Sequence, residues 1–359
     1  MSFSVLRPDA DADRWAAIID ALPENLRDVH FTPQYAAAQK LLGVKPLMAI
    51  YEWEGYVVAQ PFALRRTFVG SAALENAYGG LMAVDIANLY GYGGPVSSHG
   101  VQLYRWFSNA FLEWCRAHGV VSEYCALHPL MYPHQRALVR EVVEPVTRKQ
   151  VVVMDLRLAP MEGYTENRLG GIRTARRAGV SVVCVRSKSV AEHQPFIRLY
   201  RETMLRKRAA ARWYFPDEYL AALCRIGTVF YAMLDGEVES ASLVLHGYGT
   251  AYYHLTANAM RTPKARANDL LVHEIAEWAR GVGCTRLHLG GGATAAEDDP
   301  VLRFKADYST GRAPAYSYFR VFDDVAYREL CAAKAKQEIA ETGAEYRTWF
   351  QPMYRREAS

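Results

Sequence analysis

A two-unit α/β protein with mixed, mostly antiparallel sheets flanked by helices is what this sequence predicts, and three observations carry that reading. The chain has 359 residues, more than one core of roughly 150 residues accommodates. Apolar residues make up 51% and charged residues 22%, enough to bury sizeable cores and too apolar for a disordered chain. Strand-like alternation and helix-like periodicity interchange along the whole length, with no sustained heptad and no low-complexity tract.

In the first unit, residues 1–150, Asp13–Leu22 and Pro33–Leu42 have the spacing of short amphipathic helices. Leu47–Tyr51 and Tyr56–Phe62 pair about a Glu54–Gly55 turn, with further strand material at Ala73–Ala77. A helix over Val101–His118 stops at Gly119, a residue suited to the left-handed position after a helix. Strands follow at Val121–Leu127 and Gln150–Leu156.

The second unit, residues 151–317, opens with helix Tyr164–Arg177, strand Val180–Val185 and helices Ala191–Arg208 and Asp217–Ile226. Strands Val229–Leu234 and Val238–Tyr248 flank Asp235–Gly236, a hairpin turn pair. Strand Thr250–Asn258, a loop, helix Asn268–Gly281 and strand Thr285–Leu289 complete it. Strand Tyr316–Phe322 and helix Val325–Glu338 then return, from about residue 318, to complete the first unit.

Several classes are excluded. The apolar runs, such as Val151–Met154, are strand-length and far short of a membrane span. The N-terminus carries Asp9, Asp11 and Asp13 where a secretory signal needs a basic and then an apolar segment. The six cysteines form no C-x-x-C pair, which argues against a zinc site or a disulfide framework. A cytoplasmic protein without membrane insertion and without a metal is expected.

Charge is unevenly spread. Thr165–Tyr214 holds twelve Lys or Arg against three acids, so this stretch carries +9 within a chain of net +4. A basic region on an otherwise acidic protein suits a polyanion, and Tyr200, Trp213 and Tyr214 among it offer surfaces on which unpaired bases stack. A pair of solvated basic helices is the competing reading.

The element order of the second unit is similar to the acyltransferase fold shared by the GNAT enzymes, in which two strands splay into a cleft. In that fold the loop entering the central helix cradles the coenzyme A pyrophosphate through glycine-bearing backbone, typically Arg/Gln-x-x-Gly-x-Gly/Ala. Here the stretch is Arg261–Asp269, without glycine, with Pro263 removing a donor and Asp269 adding negative charge in the first turn. Coenzyme A is disfavoured, and no other cofactor is indicated.

Seven segments in order resemble the Fem family (FemX/FemAB type) of aminoacyl-tRNA-dependent transferases. They are Tyr90–Pro95 (Y-G-Y-G-G-P), Ile172–Val180, Leu199–Arg206, Ala251–Leu255, Asn268–Leu271, Leu289–Gly292 and Arg303–Lys305. The resemblance implies two GNAT-like domains and transfer of an aminoacyl group from tRNA to an amine on a small metabolite, peptide or cell-wall precursor. Such aminolysis of an activated ester needs neither ATP nor metal; the enzyme aligns amine and carbonyl, stabilises the oxyanion and manages one proton.

Within that frame Lys305 stabilises the tetrahedral centre and Phe304 positions the tRNA 3′ end. Tyr308, three residues on, shares a helical face with Lys305 and is a proton donor to the leaving hydroxyl. His254 is a candidate base, on the opposite strand face from Tyr253. Tyr92, Tyr253, Asn268 and Arg303 are candidate substrate-binding residues; Arg173, Arg176, Arg177, Arg206 and Lys207 face the tRNA backbone. Each also has a structural reading, as a packed aromatic, a helix cap or a surface cation. The Gly290–Gly292 run lacks the Lys-Ser/Thr of a phosphate loop and reads as a flexible rim of the cleft. Glu297, Asp298 and Asp299 after it suit a cationic amine or a solvated loop. The alternatives are an acyl-CoA-dependent GNAT N-acyltransferase and a non-catalytic RNA-binding module using the basic helices.

Overall fold

The computed structural model describes residues 1–67, 83–294 and 296–342. The strand expected at Ala73–Ala77 lies outside them. The chain forms two units, Met1–Thr147 joined by the chain from Tyr316 on, and Arg148–Ala315.

The first unit is a sheet of β1 (Ser2–Leu6), β2 (Lys45–Trp53), β3 (Tyr56–Thr67), β4 (Ala83–Ala87), β6 (Val120–Ala126) and β13 (Arg312–Val321), in that order, with β5 (Val96–Ser97) beside β3. The β2–β3 turn places Glu54 and Gly55 at φ 48° and 83°, the paired left-handed geometry that matches hairpin twist. Its helices are α1 (Ala12–Ala21), α2 (Pro33–Gln39), α3 (Val101–Ala117), α4 (Tyr132–Val139) and α10 (Asp324–Thr342). Leu103, Tyr104, Phe107, Phe111 and Cys115 form the buried face of α3, and Phe107 stacks on Phe111 at 5.4 Å. Each fully buried Phe contributes about 1.5–3 kcal/mol through apolar burial. Strands β1 and β4 and helix α4 were not expected from sequence. Each is five to eight residues long, too short for its period to stand out before its neighbours are known.

The second unit runs β7 (Val146–Asp155), β12 (Arg286–Gly291), β11 (Thr250–Asn258), β10 (Glu237–Gly247), β9 (Thr228–Leu234), β8 (Ser181–Val185). Its helices are α5 (Glu166–Arg177), α6 (Gln194–Arg206), α7 (Asp217–Ile226), α8 (Ala267–Gly281) and α9 (Pro300–Ala306). Phe230, Ala232, Val244 and Tyr253 pack in one core with α5 and α8. Tyr231, between Phe230 and Ala232, reaches Glu192 O at 3.0 Å beside α6. Because successive strand residues face opposite ways, α5 and α8 cover one face and α6 the other.

Two irregularities shape this sheet. Strands β11 and β12 are parallel and pair only through Thr250–Tyr252 and Arg286–His288. Beyond that β11 stays with β10 and β12 with β7, so the two diverge into a fork. The register of β10 with β11 also shifts: Leu243 meets Leu255 and Val244 meets Tyr253, leaving His254 as the extra residue of a bulge. The expected assignment of Tyr253 and His254 to opposite faces rested on strict alternation, which a bulge interrupts.

Candidate active site at the fork of β11 and β12

The end of β12 and helix α9 bring Lys305 to the fork. Asp299 caps α9, accepting from the N–H groups of Val301 and Leu302 at 2.8 and 3.0 Å and from Thr294 N and Oγ1, both at 2.9 Å. Burial alone would raise the Asp299 carboxyl; the hydrogen bonds from Thr294 and Leu302 more than offset it and hold the group below the usual carboxylate range. Asp299 is thus a cap, whereas Glu297 and Asp298 are exposed.

Lys305 Nζ donates to Gly291 O at 2.7 Å. Burial, followed by the neighbouring charges of Lys149 and Lys207, lowers its pKa to about 8 against the opposing pull of Asp299. Lys149 comes from β7, its Nζ 3.4 Å from Gly292 O, and burial likewise lowers its pKa.

The glycine run has a packing reason. A Cβ on Gly290 would stand 3.0 Å from Lys305 Nζ, and one on Gly291 2.9 Å from Gln150 O and 3.1 Å from the Lys149 stem. On Gly292 it would stand 2.6 Å from Asp299 Cγ. Two lysine chains and a carboxylate occupy the space side chains would fill, so Gly290 and Gly291 are a packed strand end, not the flexible rim expected from sequence.

Beside Phe304 lies a partly buried charged network. Arg168 donates to Asp269 Oδ1 at 2.8 Å and to Asp307 Oδ2 at 3.0 Å, and Arg266 Nε reaches Asp269 Oδ2 at 2.5 Å. The Arg168 guanidinium lies 4.5 Å from the Phe304 ring centroid, and Phe304 meets Tyr308 edge-on at 5.3 Å. Tyr308 is fully buried and donates to Asp269 Oδ1 at 2.7 Å. Burial first, then Asp269, pushes its phenol far above the ordinary value. Helix α9 ends at Ala306, so the shared helical face expected for Lys305 and Tyr308 does not form; the amine turns to Gly291 and the hydroxyl to Asp269. Arg168 and Lys149 escaped the sequence reading because their partners are more than a hundred residues away.

Tyr253 and Asn268 are brought together: Asn268 Oδ1 accepts from Tyr253 OH at 3.2 Å and from Ser240 Oγ at 2.8 Å. Arg303 is exposed on α9. The basic residues divide between two faces. Arg173 and Arg176 on α5 stand 3.7 Å from Glu166 and 3.3 Å from Glu274, and Arg177 beside them is exposed. At the other end of the series, Arg206 donates to Asn258 O at 2.5 Å, with Lys207 exposed next to it.

Tyr92 belongs to the first unit. Its ring lies 5.8 Å from His30 and 5.5 Å from His128. Asp28 bridges the two imidazoles, Oδ1 to His30 Nδ1 at 2.6 Å and Oδ2 to His128 Nε2 at 3.2 Å. Among the described residues these three form the grouping with metal-ligand proximity. The 2.6 Å contact is a hydrogen bond, since two ligands of one tetrahedral zinc stand about 3.3 Å apart. The Tyr90–Pro95 turn is pinned by Tyr35 OH on Tyr90 O at 2.5 Å and Gln135 Nε2 on Gly93 O at 2.9 Å. A Cβ on Gly91 would stand 3.0 Å from the His30 ring.

The splayed β11–β12 pair, with α8 following β11, defines an acyltransferase-fold protein. Residues 167–306 match the family model described as Acetyltransferase (GNAT) domain. FemX has the same fold over nearly the whole of both chains, with a TM-score of 0.65 and 12% identity, covering 92% of this chain and 99% of FemX. The structure of L-PGS from Bacillus licheniformis aligns at TM-score 0.59 and 14% identity over 91% of this chain and 97% of its own. The C-terminal domain (DUF2156) of an Agrobacterium fabrum protein described as a lysylphosphatidylglycerol synthetase aligns at 0.58 and 13%, covering 93% and 96%. No curated protein matched the sequence. The Fem resemblance read from seven short segments is therefore met by the fold. Among the described residues no helix is long and apolar enough to cross a membrane.

Proposed function

We propose that this protein transfers an aminoacyl group from aminoacyl-tRNA to an amine, forming an amide by direct aminolysis of the ester. The observation that carries this reading is the half-buried Lys305 amine, held at the fork by Gly291 O. The acceptor nitrogen attacks the ester carbonyl, a C–N bond forms and the C–O bond to the ribose breaks. The acceptor's proton leaves and the ribose oxygen gains one. Charge gathers on the carbonyl oxygen, where a fixed ammonium in a desolvated site acts more strongly than it would in water. Phe304, stacked under Arg168, offers an aromatic edge for the terminal base.

The acyl-CoA alternative uses the same fold but must seat a pyrophosphate at the start of α8. That turn has no glycine, and its Asp269 carboxylate already engages Arg168 and Arg266, so the backbone cradle is missing and both guanidinium groups are taken. The acceptor is an amine of a small metabolite, peptide or cell-wall precursor. The test supplies bulk tRNA charged with labelled amino acids, or labelled acetyl-CoA, together with a mixture of amines. Label moving from tRNA into amide in the wild type but not in Lys305→Ala supports the reading. Transfer from acetyl-CoA alone overturns it.

A further inference from the structure

Two amines converge on the glycine end of β12, Lys305 on Gly291 O and Lys149 on Gly292 O. Lys149 enters from β7 and Lys305 from α9. Both are pushed toward the neutral form by burial, Lys149 adds to that at Lys305, and Asp299 opposes it at each. Their hydrogen bonds go to backbone carbonyls, Lys305 to Gly291 O at 2.7 Å and Lys149 to Gly292 O at 3.4 Å. Neither forms an ion pair with another described residue; Asp299, whose charge reaches both, is hydrogen-bonded into the α9 cap. The Lys149 stem lies against Gly291, where a Cβ would be 3.1 Å from it, so its amine is placed by packing. Clustered, partly desolvated cations repel one another unless an anion joins them.

We propose that Lys149 supplies a phosphate-ester subsite beside Lys305, holding the anion next to the donor's acyl group. The inference rests on the transfer reading above and adds Lys149 to it. In aminoacyl-tRNA the anion is the phosphodiester preceding the terminal nucleoside; in an acyl-CoA it is the pyrophosphate.

The wild-type protein is treated with a limiting amine-acylating reagent, alone, with saturating bulk tRNA, or with coenzyme A, and labelling of Lys149 is read by peptide mass spectrometry. A loss of at least threefold with tRNA and none with coenzyme A supports the subsite and its nucleic-acid source. Protection by coenzyme A alone keeps the subsite and overturns the tRNA donor. Protection by neither overturns the subsite. Lys149→Met, which keeps the apolar stem, is then titrated with bulk tRNA over a salt series after circular dichroism confirms its fold. Removing one phosphate contact makes the slope of log affinity against log salt shallower by about 0.7–0.9. A wild-type slope in a folded variant overturns the role of Lys149 and leaves the tRNA reading standing.

Discussion

The Tyr308 hydroxyl donates to Asp269 Oδ1 at 2.7 Å, tying the segment after the Lys305 helix to the first turn of α8. The same carboxylate holds Arg168 and Arg266, so one buried acid fixes α5, α8 and α9 around the fork. Losing a single donor costs about 1–2 kcal/mol, whereas removing the acid strands two partly buried guanidinium groups and costs about 3–5 kcal/mol. Urea unfolding should therefore rank Tyr308→Phe as mildly and Asp269→Ala as severely destabilised.

Helix α5 approaches α8 closely at Gly171, where a Cβ would fall inside the contact radius of Asp269 Oδ2. Gly170, one position earlier, has open space. Gly171→Ala should lose about 1–3 kcal/mol through overpacking, and Gly170→Ala should gain up to about 1 kcal/mol from helix propensity. Thermal melts of the two variants test this opposition directly.

Lys305 titrates at about 8 in the fold, so its cation is present below that pH and lost above it. If it stabilises the oxyanion, transfer should decline as pH rises through about 8. In Lys305→Arg the guanidinium stays charged, and any activity it retains should lack that falling limb. A pH–rate profile of both proteins reads the difference.

The same shift has a stability consequence of opposite sense. Unfolded, the amine keeps its proton to its ordinary pKa of 10.5; folded, only to about 8. Between these values the unfolded chain binds more protons, so stability rises with pH there, and below about 8 the whole cost is present. That cost is about 3 kcal/mol. Lys305→Met should therefore raise Tm at pH 7 while abolishing transfer.

The β2–β3 and β9–β10 hairpins and the order that makes the fork are legible because each has a local signature: alternation, a turn pair, a glycine stop. The bulge at His254 is not, since an extra strand residue leaves no mark on hydrophobic period. Lys305 stands out only beside a resemblance; its amine is seated on Gly291 O in the space left at Gly290, which no local pattern marks. Arg168 and Lys149 look like any surface cation in sequence. Their partners, Asp269, Asp307 and the Gly292 carbonyl, come from segments far along the chain. The long basic stretch reads as one patch in sequence, yet α5 and α6 carry it to opposite faces of a sheet.

The most direct test of the account is binding of bulk charged tRNA, bulk deacylated tRNA and acetyl-CoA to the purified protein at two salt concentrations. The account predicts salt-sensitive tRNA binding that favours the charged form, with no binding of acetyl-CoA. Micromolar binding of acetyl-CoA without affinity for tRNA would contradict it.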